Sequence, residues 1–193
     1  MKHNGFEYVD LGLPSGTKWA TCNVGANSKT DNGLYFQCGG VVAFSHLLYE
    51  NDFDSHILKY NGGEKTTLHL DNDAAHIHMG GKWHMPSSEQ IRELIKNTEN
   101  TWVTDYNHSG VNGRLFTSKR NGEKLFFPAC GLLFAEGYHG LNKSGRFWSN
   151  SVDNYSSDCG IHLLFGTVSI SNSLGNRTLG LCVRGVFNTF WIK

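Results

Sequence analysis

Apolar residues in this chain fall mostly in short runs broken by Gly, Asn, Asp and Ser, the pattern of strands and turns; one segment carries a clear helical period. That segment begins at Ser87. Ser87-Ser88-Glu89-Gln90 has the form of a capping box, Pro86 closes what precedes it, and Ile91, Leu94 and Ile95 form one apolar stripe. The helix should end near Asn97. A second, short helix with an Asp or Asn cap is expected over Asp71 to His76. Near the amino end, Phe6 to Leu11 and Lys18 to Val24 flank Leu13-Pro14-Ser15-Gly16, which predicts a hairpin with Pro at the second turn position. Further strands are predicted at Thr101 to Tyr106, Gly113 to Ser118, Lys124 to Ala129, Arg146 to Ser149, Ile161 to Phe165, Thr167 to Ser171 and Leu179 to Val186, with Asn121-Gly122 as a hairpin turn. From Ala26 to Gly63 the pattern is irregular, with Tyr35, Phe36, Phe44, Leu47, Leu48 and Tyr49 as anchors under long loops.

Composition agrees with a strand-and-turn protein. Twenty-three Gly, 3 Pro, 12 Phe, 7 Tyr and 5 Trp in 193 residues suit loops that need positive φ around an aromatic core, and the length suits one domain spanning 1–193. Seventeen basic residues balance 17 acidic ones, so neither nucleic acid nor an anionic membrane is an expected partner. The start, MKHNGFEYVD, has no apolar stretch, so no signal peptide and no membrane insertion is expected. Five scattered cysteines, Cys22, Cys38, Cys130, Cys159 and Cys182, show no CxxC spacing and read as buried reduced thiols; a structural pair such as Cys22 with Cys130 is the alternative.

The sharpest compositional signal lies at residues 149–182, which are rich in Ser, Asn, Asp and Gly and contain no Lys, Glu, Gln, Met or Trp. Short adaptable hydrogen-bonding groups with occasional aromatics are the make-up of an antibody-like binding surface.

Three stretches together resemble one family. They are Phe6-Glu7-Tyr8-Val9-Asp10-Leu11-Gly12-Leu13-Pro14-Ser15-Gly16-Thr17-Lys18-Trp19-Ala20-Thr21-Cys22-Asn23-Val24-Gly25-Ala26, then Gly80-Gly81-Lys82-Trp83-His84-Met85-Pro86-Ser87, and finally Arg146-Phe147-Trp148-Ser149 leading to Gly180-Leu181-Cys182-Val183-Arg184. The chain looks like the C-type-lectin-fold proteins of gut Bacteroidales and their phages, which include the variable proteins of diversity-generating retroelements. The resemblance implies an α+β C-type lectin fold with paired terminal strands, two helices, long loops and an antiparallel sheet whose last strands and loops face the ligand. It also implies mutagenesis of Asn-type codons ending in a pyrimidine, which reach many residue types but not Lys, Glu, Gln, Met or Trp.

On that reading Arg146, Phe147, Trp148, Leu163, Phe165, Val168, Gly180, Val183 and Arg184 are scaffold. The ligand-binding candidates are Asp153, Asn154, Tyr155, Ser157, Asp158, Cys159, His162, Leu164, Ser169, Ser171, Asn172, Ser173, Asn176 and Thr178. Period-two geometry puts Ile161, Leu163 and Phe165 on one face and His162 and Leu164 on the other, the binding face. Tyr155 is the first residue to test, since aromatic anchors tend to dominate binding energy. The implied function is non-enzymatic recognition of a protein or glycan on a cell or phage surface, with the chain displayed on a phage tail or bacterial surface. A fixed-surface adhesin or glycan-binding relative is the second reading, and an enzyme of the formylglycine-generating type the third.

Rival chemistries find less in the residues. Calcium-dependent sugar binding needs six or more oxygen ligands, and neither Glu-Pro-Asn, Gln-Pro-Asp nor Trp-Asn-Asp is present; Trp148-Ser149-Asn150 is the nearest match. Formylglycine-generating chemistry uses closely spaced cysteines late in the chain, whereas Cys159 and Cys182 are far apart. His76 and His78 on a strand would point the same way and, with His84, could chelate zinc or copper, but no carboxylate or HExxH helix supports them. No GxSxG elbow is present. No cofactor, metal or catalytic residue is assigned.

Overall fold

The structure is a computed structural model that describes residues 1–44, 67–134, 136–153 and 158–188. The described residues form an α+β arrangement of mostly antiparallel sheets with two α-helices. The amino-terminal hairpin forms as its turn chemistry predicts. β1 (Lys2–His3) and β2 (Phe6–Val9) pair, Gly16 N–H donates to Leu13 O (2.9 Å) with φ 75°, and β3 (Thr17–Ala20) returns beside β2. β4 is the short Tyr35–Phe36 strand.

Helix α1 (Ala74–Met79) is capped by Asp73 and preceded by a 3-10 turn at Leu70–Asn72. It starts later than the sequence pattern suggests and carries both His76 and His78, so these two do not have the strand spacing that the chelate reading requires. Helix α2 (Ser88–Asn97) has the full capping box, with Ser87 Oγ accepting from Gln90 N–H (3.2 Å) and Gln90 Oε1 accepting from Ser87 N–H (2.8 Å). Ile91 and Leu94 are buried under it, and Glu93 accepts from Ser15 N–H (2.7 Å), tying the helix to the hairpin turn. The chain runs directly from Asn97 into β5 (Thr98–Val103), so this strand begins before the expected Thr101. β5 pairs with β6 (Gly113–Ser118), and β6 with β7 (Lys124–Pro128), across the Asn121-Gly122 turn. β8 (Leu132–Phe134) and β9 (Gly137–His139) make a small hairpin.

The central sheet has the order β12-β11-β10-β13-β4, with β10 at Gly145–Val152, β11 at Cys159–Phe165, β12 at Ile170–Asn176 and β13 at Leu181–Cys182. β14 (Val186–Asn188) leaves that sheet to pair with β3, so a strand predicted as continuous from Leu179 to Val186 is split between two sheets. The break sits at Arg184, which is fully buried: its guanidinium donates to Asn23 Oδ1 (2.7 Å) and to the carbonyls of Ala20, Thr21 and Phe126, and lies 4.4 Å from the Phe127 ring centre. Gly166 to Ser169, expected in part as strand, is the β11–β12 turn, with Gly166 N–H donating to Ser169 O (3.0 Å). Val168, read as scaffold, sits at its tip, 90% exposed.

Two cores lie on opposite faces of the central sheet. Phe147, Leu163, Phe165, Cys182 and Tyr35 pack with Ile91, Leu94, Phe116 and Phe127 on the inner face. Trp148, Phe36 and Leu181 pack with Cys38, Leu68 and the Ala74, Ala75 and Met79 side of α1 on the outer face. Among the described residues no helix is long and apolar enough to cross a membrane.

Candidate functional site

Cross-strand register decides which side chains share a face, because directly opposite residues project the same way. On β10, β11 and β12 it aligns Arg146, Leu164 and Ser171 in one row, Trp148, His162 and Ser173 in the next, and Gly160 with Gly175 beyond them. These rows make the outer face of the sheet. The intervening rows, Phe147-Leu163-Asn172 and Gly145-Phe165-Ile170, point inward.

The two glycines have a steric purpose. A Cβ on Gly160 would lie 2.6 Å from Cys38 Sγ and 3.0 Å from the Trp148 ring, and one on Gly175 would lie 3.0 Å from the His162 ring. Their absence lets the indole lie across the strands, where its Nε1–H donates to Phe36 O (2.8 Å).

The sequence-derived candidates divide on this face. Leu164 and Ser173 are half-buried on it, and Ser171 is exposed. Ser169 is exposed in the β11–β12 turn, its carbonyl taking a bond from Arg114 Nη1 (3.2 Å). Asn176 is exposed at the end of β12 and accepts from both the N–H and the hydroxyl of Thr178 (2.9 and 2.8 Å), so these two close their own turn. Asp153 and Cys159 are half-buried where β10 and β11 meet, and Asp158 is exposed beside them, its carbonyl accepting from Arg177 N–H (2.9 Å). Asn154, Tyr155 and Ser157 lie outside the described residues.

Two candidates are not exposed on the outer face. His162 lies on the outer face as period-two geometry requires, but it is fully buried, edge-on to Trp148 (5.5 Å between ring centres), and neither ring nitrogen has a hydrogen-bond partner. Burial, followed by the nearby Arg146 charge, pushes its pKa down to about 4, so the imidazole is neutral at pH 7. Asn172 projects to the inner side, where its Nδ2 donates to Ser88 O (2.9 Å) at the start of α2. A polar residue at alternating spacing reads as outward until the partner on the other side is known. Ile161 is only half-buried, unlike its inner-face companions Leu163 and Phe165.

Arg146 reads as scaffold within Arg146-Phe147-Trp148. Its side chain is half-buried in the outer-face row of Leu164 and Ser171, with Nε buried and unpartnered. The available signal was its parity: Arg146 and Trp148 alternate with Phe147. Which side chains share a face is set by strand register, which is non-local.

The other chemistries resolve residue by residue. His76 Nδ1 contacts Trp83 O (3.1 Å), His78 Nε2 contacts Val41 O (2.8 Å) and His84 Nδ1 contacts Met85 O (2.9 Å), so each ring meets a backbone carbonyl, and no group of three metal-ligating side chains occurs among the described residues. All five cysteines are free thiols. Cys130 and Cys182 share the inner core, fully buried; burial and then the Cys130 thiol beside it push the Cys182 thiol well up, which disfavours the nucleophilic thiolate. Burial likewise raises Cys38 to about 11. Compared with models of protein families, with curated proteins and with solved structures, the chain finds no match in any of the three.

Proposed function

We propose that this protein is a non-enzymatic recognition module whose ligand-facing surface is the outer face of β10–β12 with the adjoining turns, built on a C-type lectin fold and diversified by a retroelement. The observation that carries this reading is the arrangement of Leu164, Ser171 and Ser173 on one side of a sheet whose other side, through Phe147, Leu163 and Phe165, is locked into the core. Leu164, Ser171 and Ser173 belong to neither core, so variation at these three changes contacts without disturbing packing. The fold assignment draws support from the antiparallel α+β architecture and from β14 returning beside β3. Display on a phage tail or a bacterial surface belongs to the same reading.

Sequencing the locus from many related isolates tests it. Substitutions are expected to concentrate at Ser169, Ser171, Ser173, Leu164, Asn176 and Thr178, while Trp148, Phe165 and Arg184 stay fixed. Variation spread evenly along the chain, or none on this face, would sink diversification. A fixed-surface glycan-binding relative is the second reading, favoured by one observation: within the same stretch His162 is buried against Trp148 and the half-buried Asn172 is bonded to Ser88 O, so both are tied to packing.

A further inference from the structure

The arginines of this chain differ in what their guanidinium groups do. Arg92 pairs with Glu89 (2.7 Å), Arg120 donates to Gly12 O (3.3 Å), and the forks of Arg114 and Arg184 are filled by carbonyls and an Asn amide oxygen. Arg146 is half-buried, its Nε has no acceptor, and no carboxylate among the described residues pairs with it. A guanidinium carries five donors, no acceptor and a permanent charge, so a partly desolvated fork without a counter-ion favours a planar anion that it can take with two parallel bonds. The side chains around it are complementary to the rest of such a ligand. Leu164 lies next to Arg146 in the same row and offers apolar contact, and the hydroxyls of Ser171 and Ser173 follow on β12. His162 is the diagonal neighbour of Arg146, neutral and with both ring nitrogens unbonded. Hydroxyls donate and accept, as sugar hydroxyls do, and the apolar Leu164 suits the C–H face of a pyranose.

We propose that the outer face of β10–β12 binds an acidic sugar of the uronic acid class, with the carboxylate held by the Arg146 fork, the ring against Leu164 and ring hydroxyls on Ser171 and Ser173. Arg146 is the specificity-determining contact, and His162 is a positioning residue that fixes the floor beside it. This assignment rests on the reading of that face as a ligand surface. It goes further by naming the ligand chemistry and a fixed contact outside residues 149–182.

Proton and nitrogen NMR with D-glucuronate, D-glucose and acetyl-glutamate amide as probes tests it. Glucuronate is expected to shift the His162 ring signals and the Ser171 and Ser173 amides saturably, because it neutralises the charge beside the imidazole. Glucose and acetyl-glutamate amide are expected to bind at least tenfold more weakly. Arg146→Gln should lose glucuronate binding at least tenfold; Arg146→Lys, which keeps the charge and loses the fork, should fall between and serves if the Gln variant does not fold. Equal response to glucose, a response to acetyl-glutamate amide matching that to glucuronate, undiminished binding by the Arg146 variants, or no response at all would overturn the acidic-sugar assignment. A neutral glycan that shifts Ser171 and Ser173 independently of Arg146 would overturn only this assignment and leave the ligand face standing. Invariance of the face among related loci would overturn diversification and leave this assignment intact.

Discussion

Desolvation separates residues that look alike on paper. His162 sits in a stretch of Ser and Asn and reads as a surface contact, yet its neighbours Trp148 and Gly175 enclose it. Its folded-state pKa of about 4 lies below the 6.5 of a free imidazole, so the unfolded chain takes up a proton that the folded chain refuses. Stability is therefore expected to fall as pH drops from about 6.5 to 4, by on the order of 3 kcal/mol from this group. Urea midpoints of the wild type and His162→Asn, compared at pH 7 and pH 4, should converge by that amount; a pH-independent gap between them would refute the assignment. Glu89, held down to about 2 by the Arg92 guanidinium, loses its share as pH falls from about 4.5 toward 2 and is common to both proteins. Arg184 is the contrasting case of a buried charge fully hydrogen-bonded. Arg184→Met would strand the acceptors of Asn23, Ala20, Thr21 and Phe126 and is expected to cost about 3 kcal/mol or more in chemical denaturation.

Elements were legible where their signals are local. The capping box at Ser87, the stripe of Ile91 and Leu94 and the Leu13-Pro14-Ser15-Gly16 turn are read within a few residues and appear where expected. Ser87→Ala should therefore cost about 1 kcal/mol, measured by thermal or urea unfolding. Strand ends were displaced wherever a distant partner sets them. β12 runs to Asn176 because it pairs along the whole of β11, and β13 and β14 part at Arg184 because Val183 O and Gly185 O accept from Val24 and Ala20 N–H groups. The Gly160–Gly175 pair likewise has meaning only across strands. Gly160→Ala should force a Cβ against Cys38 Sγ and the anchored Trp148 ring and destabilise the protein by roughly 1–3 kcal/mol, with a shift in tryptophan fluorescence as the indole is displaced.

Across the whole molecule the thiols provide a simple check of packing. Cys38, Cys130 and Cys182 are fully buried and Cys22 and Cys159 half-buried, so a thiol reagent should reach at most Cys22 and Cys159 in the native protein and all five after denaturation. Rapid native labelling of a third thiol would contradict the two-core architecture. The sequence by itself determined the α+β class of the fold, the capped helix and the amino-terminal hairpin, because periodicity, caps and turns act over a few residues. Only the tertiary structure decided that His162 is buried on the outer face, that Asn172 turns inward and that Arg146 lies beside Leu164, Ser171 and Ser173. The physical reason is that a strand has two faces and its alternation cannot say which is covered. That depends on register with β10 and β12, on helices α1 and α2 packed against the two sides, and on the desolvation those partners impose.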